Sequence, residues 1–304
     1  MGHLIKSAIV AVALLASGST AAQTPNSAID RYRDGARKVG KGDLDGAIEE
    51  YSRAIAISSR FGNSDTASAE ANNIKVIDPF TANAYTNRGV ARYKKGDFEG
   101  AKSDFDSALR IRPALPIAYL NRAAARRELG DLEGALVDVN KAIAVDPNLF
   151  EAYNNRGALR HDLGDFTGAL ADFNRAIKLN KHVPEPFYLR GYVQIALKDY
   201  EAAVLDFNAA LKISPDMTLA FQGRGTAYMY QGKLRTAIVD FTEALLGDKE
   251  LVWAYFNRGL SYMVLGDEAR AQADFDRCLA LRPDLKADLE RRAVLAKSLR
   301  RVKE

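Results

Sequence analysis

Arginine and aspartate recur in this chain at a separation that suits a bidentate ion pair. Arg88, Arg122, Arg156, Arg190, Arg224 and Arg258 follow one another at intervals of 34 residues. So do Asp104, Asp138, Asp172, Asp206, Asp240 and Asp274, each 16 residues after its arginine. A planar guanidinium fork matches both oxygens of a carboxylate. A fixed offset kept six times reads as a clamp inside a repeated unit. The competing reading is a row of arginines that meets an acidic ligand. A second row, Asn87, Asn121, Asn155 and Asn257, is interrupted by Leu189 and Gly223. Amides donate and accept together, so such a row can hold an extended peptide backbone whatever its sequence. Hydrogen bonds between neighbouring helices account for it equally well.

Catalytic chemistry is thinly represented. His3 lies in an N-terminal leader, which leaves His161 and His182. His161 and Asp165 stand four apart, but Asp165 occupies a recurrent turn position. The chain has no HExxH, no phosphate-binding glycine loop, no GxSxG and no Cys/His cluster. Its one cysteine, Cys278, takes the place held elsewhere by Ala108, Ala142, Ala176, Ala210 and Ala244. That is the place of a small packing residue. No enzyme, metal or cofactor is expected. The balance of 43 basic and 39 acidic residues, net +4, gives no general footprint for nucleic acid.

The elements that carry these rows follow from the period. Gly89, Ala123, Gly157, Gly191, Gly225 and Gly259 form another row, as do Ala101, Ala135, Ala169, Ala203, Ala237 and Ala271. Phe105, Val139, Phe173, Phe207, Phe241 and Phe275 form a third. A strict period in this range marks a solenoid. Within residues 84–113 the one turn signal is Gly96-Asp97, with helical spacing of apolar residues on either side. Gly96 releases the first helix, Asp97 caps the second and Pro113 stops it. In the antiparallel hairpin that results, Arg88 and Asp104 lie eight residues before and after Gly96. Both then sit roughly 12 Å from the turn, at the same height.

The pattern resembles the tetratricopeptide repeat family. The residues that carry the resemblance are Tyr85, Gly89, Tyr93, Ala101, Phe105, Ala108 and Pro113, repeated in six units over 84–283. A further unit over 28–57 carries Gly35, Gly42-Asp43, Ala47, Tyr51 and Ala54. Lys198 departs from the turn glycine, and Lys181 and Lys249 from the terminal proline. These predict local changes of turn and crossing angle. The resemblance implies an all-α, right-handed superhelical solenoid of helix-turn-helix repeats with a C-terminal capping helix. The organisation expected is a signal peptide at 1–22, repeat 1 at 28–57, an insertion or loop at 58–81, repeats 2–7 at 82–283 and the cap at 284–304.

The leader reading rests on Lys6, the apolar run Ala8–Ala16 and the small residues up to Ala22, where a cut is expected. It predicts a periplasmic or secreted protein with no transmembrane span in the mature chain. The cap reading rests on an apolar stripe of Leu285, Leu289, Ala293, Val294 and Leu299 with arginines and lysines mostly outside it; the competing reading is a basic contact surface for an anionic partner or membrane.

In the family the first helix of each hairpin lines a concave groove. The matching positions are polar early (Thr86, Tyr93, Lys94, Arg127, Glu128, Asn154, His161 and Asp162). Later they are apolar: Tyr188, Tyr192, Ile195, Met229, Tyr230, Trp253, Phe256, Leu260 and Met263. The partner-binding set expected is Asn87, Asn121, Asn155, Tyr188, Tyr192, Met229, Tyr230, Trp253, Phe256 and Asn257. The function implied is a non-enzymatic scaffold of the cell envelope that binds a peptide or helix. The alternative is a glycan- or peptidoglycan-binding accessory of an envelope enzyme, with Trp253 and Tyr230 stacked on sugars.

Overall fold

A computed structural model describes residues 27–61 and 79–301. The leader assigned to 1–22 and residues 62–78 of the expected insertion lie outside the described residues. The protein is an all-α repeat solenoid of two compact units, the first ending at Leu163 and the second starting at Gly164.

The first unit runs α1 Ala28–Gly40, α2 Leu44–Phe61, α3 Pro79–Lys94, α4 Phe98–Ile111, α5 Pro116–Glu128, α6 Leu132–Val145 and α7 Phe150–Asp162. Consecutive helices pack on one another as hairpins. Helix α2 continues into the stretch assigned to the insertion, and α3 begins before that stretch ends. Each turn is built by the Gly-Asp pair. Gly96 and Gly130 take φ of +84° and +83°, the left-handed conformation that glycine adopts without a Cβ clash. The carboxylates of Asp97 and Asp131 then accept from the amides of Gly100 and Gly134 at 2.9 and 2.8 Å. Inside the hairpins, Ala101, Phe105, Ala135 and Val139 are fully buried. The chain at Gly89 comes so close to the Phe105 ring that a Cβ there would lie 2.6 Å from Cε1.

The second unit runs α8 Phe166–Leu179, α9 Glu185–Ala196, α10 Tyr200–Ile213, α11 Thr218–Tyr230, α12 Leu234–Gly247, α13 Val252–Val264 and α14 Glu268–Leu281. A 3₁₀ turn at Pro283–Leu285 leads into α15, Lys286–Arg301. The core repeats the same columns, with Ala203, Phe207, Ala237, Phe241 and Ala271 at 0% exposure. Lys198 does not alter its turn. It adopts φ +64° and so imitates the glycine it replaces, and Asp199 still caps α10 through the Ala202 amide. Helix α15 packs on α13 through Leu289 and Ala296, whereas Val294 is 70% exposed and does not belong to the buried stripe. Residue 294 follows Ala293 by one, and a helix turns about 100° between them, so both cannot face α13.

Candidate functional site

The arginine row is committed on three sides. In α3, α5, α9, α11 and α13 the arginine grips its aspartate with two parallel bonds. For Arg224 these run from Nε and Nη2 to Asp240 at 2.8 and 2.7 Å. Arg88–Asp104, Arg122–Asp138, Arg190–Asp206 and Arg258–Asp274 repeat the geometry. Arg156 belongs to the first unit and Asp172 to the second. The five aspartates are all buried, with side-chain exposures between 0 and 7%. Hydrogen bonding to Asp240 and Asp274 raises Arg224 and Arg258 above the ordinary arginine range, against the opposing effect of burial.

A third bond ties each arginine to the preceding hairpin. Nη1 of Arg88, Arg122, Arg156, Arg224 and Arg258 donates to Ser52, Asp106, Asn140, Asn208 and Thr242. Arg190 reaches Asn174 in the same way. The guanidiniums also stand over an aromatic ring three residues earlier, from Tyr85 to Tyr255, at 5.2–5.8 Å. In the first unit Asp104 and Asp138 each hold a second arginine, Arg92 and Arg126, at 3.0 and 2.9 Å. These arginines stitch hairpin to hairpin and are spent on the fold.

Several residues expected in the groove are packing residues instead. Thr86, Leu120, Asn154, Tyr188, Gln222 and Phe256 fall in one column of the repeat, and their exposures are 0 to 7%. Burial leaves Tyr188 and Phe256 little surface for a partner, and Phe256 packs with Leu289 and Ala296 of α15. Asn121 is buried at 1%. Asn87 donates to the Tyr32 hydroxyl at 2.7 Å, and Asn257 donates to Thr226 Oγ1 at 3.3 Å. Both amides therefore link first helices, the other reading of the asparagine row. Asn155 is half-buried. The Tyr192 hydroxyl donates to the Leu219 carbonyl at 3.1 Å and accepts from Gln222 at 3.3 Å, and burial raises its pKa. Trp253 is half-buried against Phe256, with ring centroids 5.3 Å apart.

At their C-terminal ends the first helices expose Lys94 and Glu128, then Ala196 and Tyr230, while Asp162 and Val264 in the same column are half-buried. In the first unit two of its charges are answered from the preceding first helix. Arg127 pairs with Asp162 at 2.5 Å, and the Tyr93 hydroxyl donates to Glu128 at 3.1 Å. Burial would raise Asp162, but His161 and Arg127 outweigh it and hold the carboxyl below its usual range. In the second unit the column is apolar. Tyr230, 43% exposed, stacks on Tyr200 with centroids 5.2 Å apart. Beside it opens a cavity of about 770 Å³ among α11, α12, α13 and α15. Met229, Leu234, Leu260 and Val264 line it from the hairpins, and Leu295 and Ala296 from α15.

Among the described residues no group of three or more His, Cys, Asp and Glu is placed to hold a metal ion. No described helix is long and apolar enough to cross a membrane. Cys278 is buried, and that burial pushes its thiol up to about 11.

Sequence models described as tetratricopeptide repeat match residues 82–115, 150–182, 184–217 and 252–285, and one described as TPR repeat matches 123–164. Together they span more than half of the chain, and the hairpins they cover carry the columns described above. The chain belongs to the tetratricopeptide repeat family. No curated protein is significantly similar to it. Among solved structures, a tetratricopeptide repeat protein from Parabacteroides merdae is 22% identical, covers 88% of this chain and 98% of its own, and superposes with a TM-score of 0.65. The Cut9–Hcn1 hetero-tetramer of the APC/C contains a chain at 18% identity and TM-score 0.66, covering 87% of this chain and 54% of its own. Pseudomonas aeruginosa pilF is 17% identical, with coverage of 73% and 97% and a TM-score of 0.61. At these identities the likeness is one of fold.

Proposed function

We propose that the protein is a non-enzymatic scaffold of the cell envelope that binds a peptide or helix along the first helices of its second unit. The observation that carries this reading is the open column of those helices. It turns from charged side chains in the first unit, two of them held by Arg127 and Tyr93, to apolar side chains beside a cavity in the second. A water-facing apolar surface of this kind costs free energy until a partner covers it, and aromatic side chains are favoured anchors. The repeat fold supports a protein partner, since a stack of helical hairpins builds an extended surface. Envelope location rests on the leader: Lys6, the apolar run Ala8–Ala16 and the small residues to Ala22.

Two measurements test the reading. Protein made in an exporting bacterial host should have its N-terminus near Gln23 by mass spectrometry; soluble protein that retains Met1 overturns the envelope assignment. Chemical crosslinking in an envelope extract should capture proteins through the second unit. Capture of murein alone would favour the glycan reading instead.

A further inference from the structure

The cavity of the second unit has a built-in charge preference, and its source is α15. The helix contains six basic residues (Lys286, Arg291, Arg292, Lys297, Arg300 and Arg301) and two acidic ones, Asp288 and Glu290. Six minus two gives +4 in one helix, as much as the formal charge of the whole chain. Two of these residues, Arg291 and Arg292, stand at the cavity itself, above an apolar floor of Met229, Leu260 and Val264. Both lean on a single carboxylate. Arg291 pairs with one oxygen of Asp288, and Arg292 Nε lies 3.0 Å from the other. Two guanidiniums sharing one carboxylate leave one positive charge unanswered. The Arg292 guanidinium is also fixed, 5.5 Å over the Phe256 ring. Leu295 adds an apolar wall that is 60% exposed.

Resting on the scaffold reading above, we infer that this cavity is the anchor site for an acidic peptide segment. Leucine-like side chains of the segment enter the cavity, and a neighbouring Asp or Glu meets Arg291 and Arg292. The apolar floor takes the part of the segment that water disfavours. The unanswered guanidinium charge selects the part beside it, and it does so bidentately. The volume lies within the roughly 300–1,000 Å³ of ordinary ligand pockets, enough for side chains and too little for a folded domain. A basic helix with exposed Val294 and Leu295 also has the composition of a membrane-surface helix. The concavity decides between the two. A flat bilayer meets Val294 but leaves the floor of Met229, Leu260 and Val264 uncovered, whereas a side chain fills it.

The test uses short fluorescent peptides with identical leucine spacing and acidic, neutral or basic flanks, and vesicles of phosphatidylglycerol and phosphatidylcholine. Fluorescence anisotropy should rank the acidic peptide first, by about tenfold or more over the basic one. Raising salt should narrow the gap. Leu295→Asp should weaken the acidic peptide about tenfold or more. The double variant Arg291→Glu, Arg292→Glu should invert the ranking. Both changes lie at exposed positions, and circular dichroism checks that the variants remain folded. Peptide binding untouched by these variants would place the anchor elsewhere and overturn the inference while the scaffold reading stands. Failure of every peptide, with proteins still captured in the envelope extract, would do the same. Binding to the vesicles through Leu295 and the arginines, with no peptide bound, would make α15 a membrane-surface helix and overturn the inference.

Discussion

Replacing Gly89 by alanine tests whether the repeat is held by close approach between its two helices. The added Cβ would lie 2.6 Å from Cε1 of Phe105 and 2.9 Å from Cζ. Phe105 is fully buried, so its ring has no open space to swing into. Two effects oppose each other. Alanine improves helix propensity over glycine by about 1 kcal/mol. Overpacking a filled core costs about 1–3 kcal/mol, and a contact this short belongs in the upper part of that range. Gly89→Ala should therefore destabilise by about 1–2 kcal/mol. The hairpin of α5 and α6 shows the alternative solution, because there Ala123 and Val139 occupy the two positions, both buried. In a Phe105→Val background the clash is gone and only the propensity gain is left. Gly89→Ala should then stabilise by about 0.5–1 kcal/mol, a reversal of sign. Urea denaturation of the four proteins, followed by circular dichroism, closes the cycle with a coupling of about 2 kcal/mol. If Gly89→Ala has the same sign in both backgrounds, the glycine is not there to admit the ring, and the reasoning fails.

Lys198→Gly should stabilise the protein by about 0.5–1 kcal/mol in the same assay, since lysine at φ +64° is strained where glycine is not; a loss of stability would show that the turn is not strained. Arg224→Ala should cost about 3–5 kcal/mol, because it strands the buried Asp240, and Asp240→Ala should cost less, because Arg224 is partly exposed and keeps its bond to Asn208. Their double variant should fall short of the sum by about 0.5–3 kcal/mol, and strict additivity would show that the clamp couples nothing. Cys278, buried and with its thiol pushed up to about 11, should resist a thiol reagent at neutral pH and react once urea unfolds the chain. Rapid labelling of the folded protein would contradict that burial.

The hairpin was legible because its instructions are local. Gly96 and Asp97 stand side by side, and Arg88 and Asp104 lie at equal distances from them in one antiparallel pair. The arginine's third bond was harder to see, because its acceptor belongs to the preceding hairpin and its identity drifts through Ser52, Asp106, Asn140, Asn174, Asn208 and Thr242. Side-chain type does not repeat in that column; hydrogen-bonding capacity does. Read column by column, the six residues would have pointed to a polar contact between hairpins.

The same drift misplaced part of the binding face. Thr86, Asn154, Tyr188 and Phe256 look like a groove that changes from polar to aromatic, but they are successive occupants of one buried column. A single helix shows that its residues have faces, and only the stack shows which face the next hairpin covers. The column at the helix ends leaves Lys94, Glu128, Ala196 and Tyr230 exposed, although the preceding first helix still reaches Glu128 and Asp162 through Tyr93 and Arg127. There a change in residue type is free to follow the partner instead of the core. That is why the move from Glu128 and Asp162, answered by Tyr93 and Arg127, to Tyr230 beside an apolar cavity carries functional meaning, while the equally visible move from Thr86 to Phe256 records only packing.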